Sequence, residues 1–443
     1  MLCLVVIGAA FLFAANQRRV MLVTMFLMAA WQGGVWIDYV HMDVRIFHLM
    51  LFGLLFWNLS ENRVFLRKWR PFIRPVFPWL LLCIWLIVGV FGAVNPGNAR
   101  QGVTRFFTEI LFFITLLSSV RTPKDFRFLI ICIAIAVIGQ SVLALLQFKF
   151  SGITFGVIDD SRTHMWWRAR GTFRHPNNLG MSLVVLLPIL IRGIIAGLST
   201  KDKRLFRMTV AATLLGGVAI LTTYNRGAWI GLGSGLLVMV SLDLLGKGGK
   251  IKKYARVMLA AGAIVLVLGV AKFGDFIVNR MFLSDEEQIL EGRENLSEEG
   301  MQVFRHHRIL GVGYGNEQFY SNVTFTHNVY VLIAAETGAP GFILFIWFLF
   351  EYVLLVVKGC RSRIQFVKNY SRGFVAAILG FLIASTVGPD FWISYGTQIY
   401  FWTGIAVISS LLRLENVALM QIKKKNSIPI NGRYQSKKIN VFP

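Results

Sequence analysis

The chain has 443 residues, of which 56% are hydrophobic and 15% are charged, and its formal net charge is +24 at pH 7. A soluble domain carries about one quarter charged residues, so this composition excludes an ordinary soluble fold. A strongly basic chain can bind nucleic acid, but here the basic residues are spread over many short segments between apolar blocks, which excludes that class.

Thirteen apolar blocks follow one another along the chain. A block of roughly 17–25 apolar residues is long enough to cross a bilayer core. The blocks lie near 1–15, 20–37, 44–58, 76–94, 105–120, 126–147, 178–198, 208–223, 227–245, 256–271, 328–357, 372–388 and 397–413. We therefore predict an all-α polytopic membrane protein with about 12–13 transmembrane helices. No basic segment precedes the first block, so we expect no removable signal peptide.

The lysines and arginines are divided unequally between alternate loops. Cytoplasmic loops of membrane proteins are enriched in these residues. One set of loops carries 31 of them, at 16–19, 59–75, 121–127, 199–207, 246–256, 358–372 and 413–443. The other set carries 14, at 38–45, 95–105, 148–177, 224–226 and 272–327. We therefore predict that the first set and the C-terminus are cytoplasmic and that the second set faces outwards.

This division predicts six segments. They are an N-terminal transmembrane bundle (1–147), a first long outer loop (148–177), central transmembrane helices (178–271), a large extracytoplasmic loop carrying short helices (272–327), C-terminal transmembrane helices (328–413) and a basic cytoplasmic tail (414–443). Loops as long as these two outer loops are usually functional or disordered. The basic tail is interpreted as a solvated segment or a contact with anionic lipid.

A first cluster of polar residues ends the first outer loop. Pro176 disfavours a helical conformation at His175, and Asn177 is predicted to cap the helix that follows. A helix N-terminus suits an anion, and arginines add positive charge at Arg168, Arg170 and Arg174. The alternative is an interfacial loop whose arginines contact lipid headgroups.

A second cluster lies at Thr222–Trp229, where two apolar blocks meet with almost no loop. Arg226 is therefore predicted to lie at or just inside the outer interface. A charge at the bilayer centre costs about 2.5–3.5 kcal/mol, and less near the edge. This cost favours a functional role for Arg226, and the alternative is an arginine that reaches the interface with its long side chain.

Two further clusters belong to the large loop and to the span after it. The first contains Arg293 and, further on, a glycine-rich turn at 311–315 that is not a phosphate-binding loop. The second begins at His327, where the loop enters the membrane, and reaches Glu336 inside an apolar block. An ionisable residue in a membrane is a functional candidate. The alternative for both His327 and Glu336 is a helix cap.

Neither the acidic pair nor the cysteines indicate a metal site. Asp159 and Asp160 stand alone, the histidines form no ligand set on one helix face, and the four cysteines lack the spacing of metal or disulfide frameworks. We therefore expect no metal and no cofactor.

Several of these motifs together resemble the O-antigen ligase and O-antigen polymerase superfamily. The string from Gly292-Arg293 through Leu310–Gly315 to Thr326-His327-Asn328 and Glu336–Gly341 resembles its signature region. Tyr224–Trp229 is similar to its Ser-Arg-Gly-Ala motif, with Asn225 where serine is common, and Gly171–Asn177 is similar to a further pattern. The resemblance covers roughly 170–350.

The resemblance implies a membrane glycosyltransferase of the GT-C type in the bacterial inner membrane, with its active site on the periplasmic face. Its donor is a glycan on undecaprenyl diphosphate. Ligases transfer the glycan to a hydroxyl of the lipid A-core, polymerases transfer it to another lipid-linked repeat, and a third branch transfers glycans to protein. The ligases are thought to need no metal.

The residue chemistry suits such a reaction. Arginine is permanently charged and binds phosphate oxygens with two donors, so Arg226 and Arg293 are predicted to bind the diphosphate. Histidine can accept a hydroxyl proton near neutral pH, so His327 is the predicted base or acceptor-orienting residue. Arg174 is a weaker third ligand. Positioning roles are predicted for Asn328, Asn177, His175 and Glu336. A transporter or flippase, the alternative, would need charges at the midplane of several spans.

Overall fold

The computed structural model describes residues 18–29, 35–37, 42–61, 72–150, 162–163, 166–245, 286–320 and 326–426. For 35–37, 42–44, 162–163, 166–167, 286–295 and 422–426 it describes the backbone alone. The predicted spans at 1–15 and 256–271 and most of the basic tail lie outside these residues, so the full count of 12–13 spans stays a prediction.

The described residues form helices joined by short turns. The helices are α1 (Arg18–Met28), α2 (Ile46–Ser60), α3 (Val76–Val90), α4 (Pro96–Ser119), α5 (Pro123–Lys149), α6 (Pro176–Thr200), α7 (Lys203–Thr222), α8 (Arg226–Leu245), α9 (Glu286–His306), α10 (Val329–Cys360), α11 (Gln365–Ala384), α12 (Asp390–Ile393) and α13 (Tyr395–Asn426). Two antiparallel ribbons pair β1 (Val35–Ile37) with β2 (Met42–Val44) and β3 (Arg162–Thr163) with β4 (Trp166–Trp167). A 3-10 helix covers Glu317–Phe319.

Eight of these helices are long and apolar enough to cross a membrane, namely α4 to α8, α10, α11 and most of α13. Two shorter apolar helices, α2 and α3, accompany them. The prediction of an all-α polytopic membrane protein is therefore confirmed.

Two local predictions were wrong, each for a physical reason. The block at 20–37 is not one helix, because its end, Val35–Ile37, is a β-branched and aromatic run that pairs as a strand. The loop predicted at 95–105 is helical, because Asn95 caps α4 and Pro96 occupies its first turn. Within its described residues, the large outer loop carries α9, a helix of 21 residues, and the short 3-10 helix at Glu317–Phe319.

Close packing of small residues holds helix α8 against helix α11. A Cβ atom at Gly231 of α8 would lie 2.4 Å from the carbonyl oxygen of Gly380 in α11, and one at Gly235 would lie 2.4 Å from that of Ala376. Association of helices in lipid depends on van der Waals packing, which small residues permit. Helix α8 is thereby held directly against α11, which fixes the position of its first residue, Arg226.

The loops meet at two opposite ends of the bundle, and the two ends agree with the two sets of loops. At the end that we term the site end, Asn95 bonds Asn316, with the Asn95 N–H 2.6 Å from the Asn316 Oδ1. The backbone N–H of Ala169 also donates to Thr222 at this end, at 3.0 Å. At the opposite end, Arg127 pairs with Asp202 at 3.7 Å. Which end faces the cytoplasm stays a prediction.

A buried charge cluster ties three helices together near the opposite end. Asp243 of α8 accepts from Arg192 of α6 and from Arg372 of α11, each at 2.8 Å. Arg192 and Asp243 are each about 1% exposed. Removing one partner of a buried pair leaves an uncompensated charge in a low-dielectric environment, so Asp243 supplies the counter-charge that the two arginines share.

Replacing Asp243 with asparagine is expected to destabilise the protein by about 3–5 kcal/mol, because two guanidinium groups then remain buried without a counter-charge. Thermal unfolding of the detergent-purified protein measures this. The matched control is Asp202→Asn, since Asp202 caps α7 and asparagine caps a helix about as well. Equal melting temperatures for the two variants would contradict this role of Asp243.

Candidate active site

Helix α10 is broken at Gly338, which has φ 67° and ψ −175°. The break frees backbone groups that a continuous helix would pair. The loop after α9 supplies partners for these groups. The N–H groups of Val312 and Gly313 donate to the carbonyls of Ala335 and Glu336, at 3.1 and 2.9 Å. The N–H of Ala339 donates to the carbonyl of Arg308 at 2.7 Å. The glycine-rich turn is therefore bound directly to the break in α10.

The close fit between loop and helix explains why glycine stands at these positions. A Cβ atom at Gly338 would lie 2.1 Å from the carbonyl oxygen of Ile309, and one at Gly311 would lie 2.3 Å from the carbonyl carbon of Glu336. Both residues also have positive φ, as do Gly313 and Gly315. Only glycine adopts this conformation readily and permits this approach.

The carboxylate of Glu336 belongs to the interior of the bundle. It is about 1% exposed, and its Oε2 accepts the indole N–H of Trp392 at 2.6 Å. Nine residues of helix separate Glu336 from His327, about 13 Å along the axis. Glu336 thus holds α10 against the segment before α13, a contact compatible with the predicted positioning role.

Two glutamines of α5 hold the loop that precedes α6. Gln140 donates to the Thr172 hydroxyl at 2.8 Å and accepts the Thr172 N–H at 2.9 Å. Gln147 donates to the Gly171 carbonyl at 2.8 Å and accepts its N–H at 2.9 Å. Gly171 has φ 62°, which brings its backbone against Gln140. No sequence motif pointed to either glutamine, since apolar blocks conceal single polar residues.

His175, rather than Asn177, caps α6. It has extended backbone angles, as Pro176 predicts, and its Nδ1 accepts the backbone N–H of Asn177 at 3.2 Å. The prediction of an Asn177 cap was wrong, because Asn177 lies within the first helical turn. Its side-chain oxygen instead accepts from the guanidinium of Arg168.

The turn between α7 and α8 is fastened to this loop. The Arg168 Nε donates to the Thr223 carbonyl at 2.9 Å. The Asn225 side chain accepts the N–H of Ala228 at 3.1 Å and donates to the Asn177 carbonyl at 3.4 Å. Asn225 thus caps α8, which a serine at this position could also do. The two turns are bound together, so Arg226 begins its helix close to the start of α6.

His327 stands one residue before α10, at the same end. Asn328 caps α10 by accepting the N–H groups of Tyr330 and Val331, at 2.9 and 3.4 Å. The N–H of Val329, the residue directly after Asn328, donates to the Ser385 carbonyl at the end of α11, at 3.1 Å. This cap is compatible with the positioning role predicted for Asn328, which stays a prediction, and His327 directly precedes an ordered helix start.

The structure brings His175 and His327 together with a carboxylate that the sequence analysis missed. The Nδ1 of His175 lies 4.0 Å from an oxygen of Asp390, the first residue of α12, which is largely buried. His327 is close enough to His175 to act on its charge. Asp390 follows Gly388-Pro389, and a carboxylate at the end of an apolar block was the signal that could have identified it.

Positive charge surrounds His175 and keeps it neutral. Burial, and then the charge of Arg168, lower the pKa of His175 to about 4, and His327, Arg170 and Arg174 act in the same direction. A neutral ring agrees with the geometry, because Nδ1 accepts the Asn177 N–H. The site end thus combines three arginines and two imidazoles around one helix start.

Arg226 lies at the site end because helix α8 begins there. Arg293 lies at this end because it belongs to the large outer loop. Gly227, the residue after Arg226, packs closely against the segment between α11 and α12. A Cβ atom at Gly227 would lie 2.2 Å from Val387 in that segment. Arg293 belongs to α9, about two turns before Gly300, which packs against Thr326. The side chain of Arg293 lies outside the described residues, so its predicted role is not tested.

A second buried carboxylate, that of Glu317, holds the end of the large loop that leads into α10. Glu317 accepts the backbone N–H of Thr326 at 3.4 Å, which joins the two sides of the loop before His327. Burial raises the pKa of Glu317 to about 7, against the lowering effect of this N–H. No sequence motif pointed to this residue.

The arrangement favours an anionic ligand. Helices α6, α8 and α10 all begin at the site end, and each helix N-terminus carries about half a positive charge. The arginines add to this field. Among the residues that the structure describes, no three histidine, cysteine or acidic side chains are grouped as a metal site would need. Asp159 and Asp160 lie outside those residues, so the expected absence of a metal stays a prediction.

Replacing Gly338 with alanine is expected to destabilise the protein by at least about 1–3 kcal/mol, from the backbone conformation alone. The loop at 308–315 should lose its attachment, which hydrogen exchange of that segment would show as faster exchange. Gly217→Ala is the matched control, since no atom lies within 4 Å of a Cβ there, and alanine favours a helix. Unchanged exchange in Gly338→Ala would contradict the proposed attachment.

His175 is expected to make stability depend on pH. Its pKa of about 4 lies below the ordinary 6.5, so the unfolded chain binds a proton between pH 6.5 and 4 and the folded chain does not. The contribution of His175 to the free energy of unfolding is therefore fully present above pH 6.5 and is lost as the pH falls through 4. The effect should be modest, because the ring is 45% exposed and solvent screens the charges around it.

The test compares melting temperatures at pH 7 and pH 4.5. His175→Asn keeps a capping side chain and removes the titrating ring, so its melting temperature should fall less than that of the wild type. His306→Asn removes an exposed histidine of α9 and should behave like the wild type. An equal fall in all three proteins would show that His175 contributes nothing to the pH dependence.

Comparison with known proteins agrees with the motifs. Residues 211–346 match the family described as O-Antigen ligase. The match runs from α7 through α8 and α9 into α10, so it includes Arg226, Arg293 and His327. No curated protein matches the chain. The resemblance to the O-antigen ligase superfamily that the motifs predict is thereby confirmed over residues 211–346.

Proposed function

We propose that this membrane protein transfers a glycan from undecaprenyl diphosphate to an acceptor hydroxyl on the outer side of the bacterial inner membrane. The acceptor is the lipid A-core, which makes the protein an O-antigen ligase. The observation that carries the proposal is the convergence of His327, His175 and three arginines at the start of helix α6. The matched family supports the reaction class.

The donor follows from the predicted position of the site. Nucleotide sugars are absent outside the cytoplasm, so an activated glycan there is attached to a lipid. Its leaving group is a diphosphate at the membrane surface. Positive helix ends and arginines stabilise the charge that develops on such a group. They therefore take the part that a metal ion has in other transferases, and the proposed reaction needs none.

The arginines of the site divide into two kinds. Arg168 is engaged by the protein, since it donates to Thr223 and to Asn177. Arg226 begins α8 at the site end and Arg174 is exposed there. We propose Arg226 and Arg293 as the main diphosphate ligands, with Arg174 as a weaker third. Arg168 holds the two turns together.

His327 is proposed as the base that accepts the acceptor's hydroxyl proton, or as the group that orients the acceptor. An imidazole is the side chain best suited to accept a hydroxyl proton near neutral pH. The neighbouring His175 is neutral and bound through its Nδ1. It therefore serves to hold the start of α6, in agreement with its predicted positioning role.

Two alternatives differ in what they require. A polymerase of the same superfamily would use the same donor site and a lipid-linked repeat as acceptor. A transporter or flippase would need ionisable groups along a path through the membrane. Here the buried acids Glu109 and Glu336 accept indole N–H groups of Trp402 and Trp392, and the buried Asp243 joins three helices by pairing with Arg192 and Arg372. These contacts support a structural role, and so they favour the transferase.

His327→Ala is expected to abolish glycan attachment while the protein remains in the membrane, because no other group replaces the base. Attachment is measured as polymer-bearing lipopolysaccharide on gels of cells that depend on the variant. His306→Ala, in the exposed part of α9, is the matched control and should retain activity. Normal attachment with His327→Ala would reject the assignment.

Arg226→Lys is expected to lower transfer by about tenfold or more, because lysine keeps the charge and loses the two-donor contact to phosphate. Arg305→Lys, on the exposed side of α9, should leave transfer unchanged. The initial rate with a lipid-linked donor is the measurement. A near-normal rate in Arg226→Lys would show that charge alone suffices at this position.

The glycan that accumulates in a deletion strain distinguishes the ligase from the polymerase. A ligase deletion leaves complete lipid-linked polymer that is never attached. A polymerase deletion leaves single repeats. The proposed ligase role predicts the first result, and the second would transfer the assignment to the polymerase branch.

A further inference from the structure

A cavity of about 320 Å³ lies at the end of the bundle opposite to His327. It is formed where α1 begins, α4 ends and α5 begins. The residues that line it are Arg18, Arg19, Leu22, Ser119, Val120, Asp125, Phe128 and Leu129. Nothing in the proposed reaction uses this cavity, although both proposals rest on the same predicted orientation.

One side of the cavity is cationic. Arg18 reaches across and donates to the carbonyl of Ser119, and the guanidinium of Arg19 lies 5.5 Å from the centre of the Phe128 ring. Among the described residues of the lining, Asp125 is the only acid, and its carboxylate accepts the N–H groups of Arg121 and Thr122, at 3.1 and 3.0 Å. Asp125 is therefore engaged by the cap of α5, and the lining carries a net charge of +1.

The other side of the cavity is apolar. Leu22, Val120 and Leu129 belong to the buried core and Phe128 packs against it. The positive end of α5, a helix of 27 residues, lies at the same place. A cationic wall, a helix N-terminus and an apolar wall in one cavity suit a ligand with an anionic head and a hydrocarbon chain.

We propose that this cavity binds the phosphate of an anionic phospholipid, with an acyl chain along α1 and α5. The predicted orientation places this end at the cytoplasmic leaflet, whose surface is negative and attracts basic segments. Arginine binds phosphate oxygens with paired donors. The lipid would bridge α1 to the turn between α4 and α5, and so attach α1 to the bundle.

Native mass spectrometry of the purified full-length chain, titrated with phosphatidylglycerol or phosphatidylcholine, tests this. The wild type is expected to retain one phosphatidylglycerol per chain and to bind phosphatidylcholine at least about tenfold more weakly. Arg18→Gln/Arg19→Gln should weaken phosphatidylglycerol binding by about tenfold. The control Lys203→Gln/Arg207→Gln removes two exposed charges at the same end and should bind like the wild type.

The single variant Arg19→Gln controls for misfolding of the double variant. Arg19 is exposed and contacts the ring of Phe128, so its replacement should leave the fold intact. It should also weaken binding, and phosphatidylglycerol should raise the melting temperature of the wild type more than that of the variant. Equal retention of both lipids, or equal loss in the control, would overturn the proposal. Displacement of the lipid by millimolar inorganic phosphate would identify a free-anion site instead, and would also overturn it.

Discussion

The break of α10 at Gly338 is the constraint on which the arrangement of the site depends. Each backbone group left unpaired in a bilayer costs several kcal/mol, so a helix can break there only if another segment supplies partners. The loop at 308–315 supplies them with the N–H groups of Val312 and Gly313 and the carbonyl of Arg308. The large outer loop is thereby attached to the half-helix that begins beside His327, and the motifs at either end of that attachment act as one unit.

The chemistry of the site depends on where helices begin. Helices α6, α8 and α10 start at one end, and hydrogen bonds from Arg168, Asn225 and Val329 hold these starts to neighbouring turns. Burial, and then the charge of Arg168 and its neighbours, lower the pKa of His175, and the positive helix ends add to the positive charge at this end. The same positive charge suits a diphosphate leaving group. A rigid, positively charged end with an imidazole beside it is what transfer from a lipid diphosphate requires.

The sequence predicted features that depend on neighbouring residues and missed those that depend on tertiary contacts. Apolar blocks gave most helices within a few residues, and Pro176 gave the extended backbone of His175. The His175 cap was missed because it needs the ring orientation, and Asp390 because it approaches His175 only in the fold. The strand at Val35–Ile37 was missed because apolar content alone does not separate strands from helices. The Asp243 cluster was missed because one buried acid gives no periodic signal.

The central claim is that the protein transfers a glycan rather than moving a lipid. Purified protein in vesicles, supplied with an acceptor and with undecaprenyl diphosphate carrying a labelled glycan, tests it most directly. The account predicts that the label leaves the lipid and appears on the acceptor, in a reaction that His327→Ala prevents. A label that stays on its lipid and crosses the membrane would contradict the account.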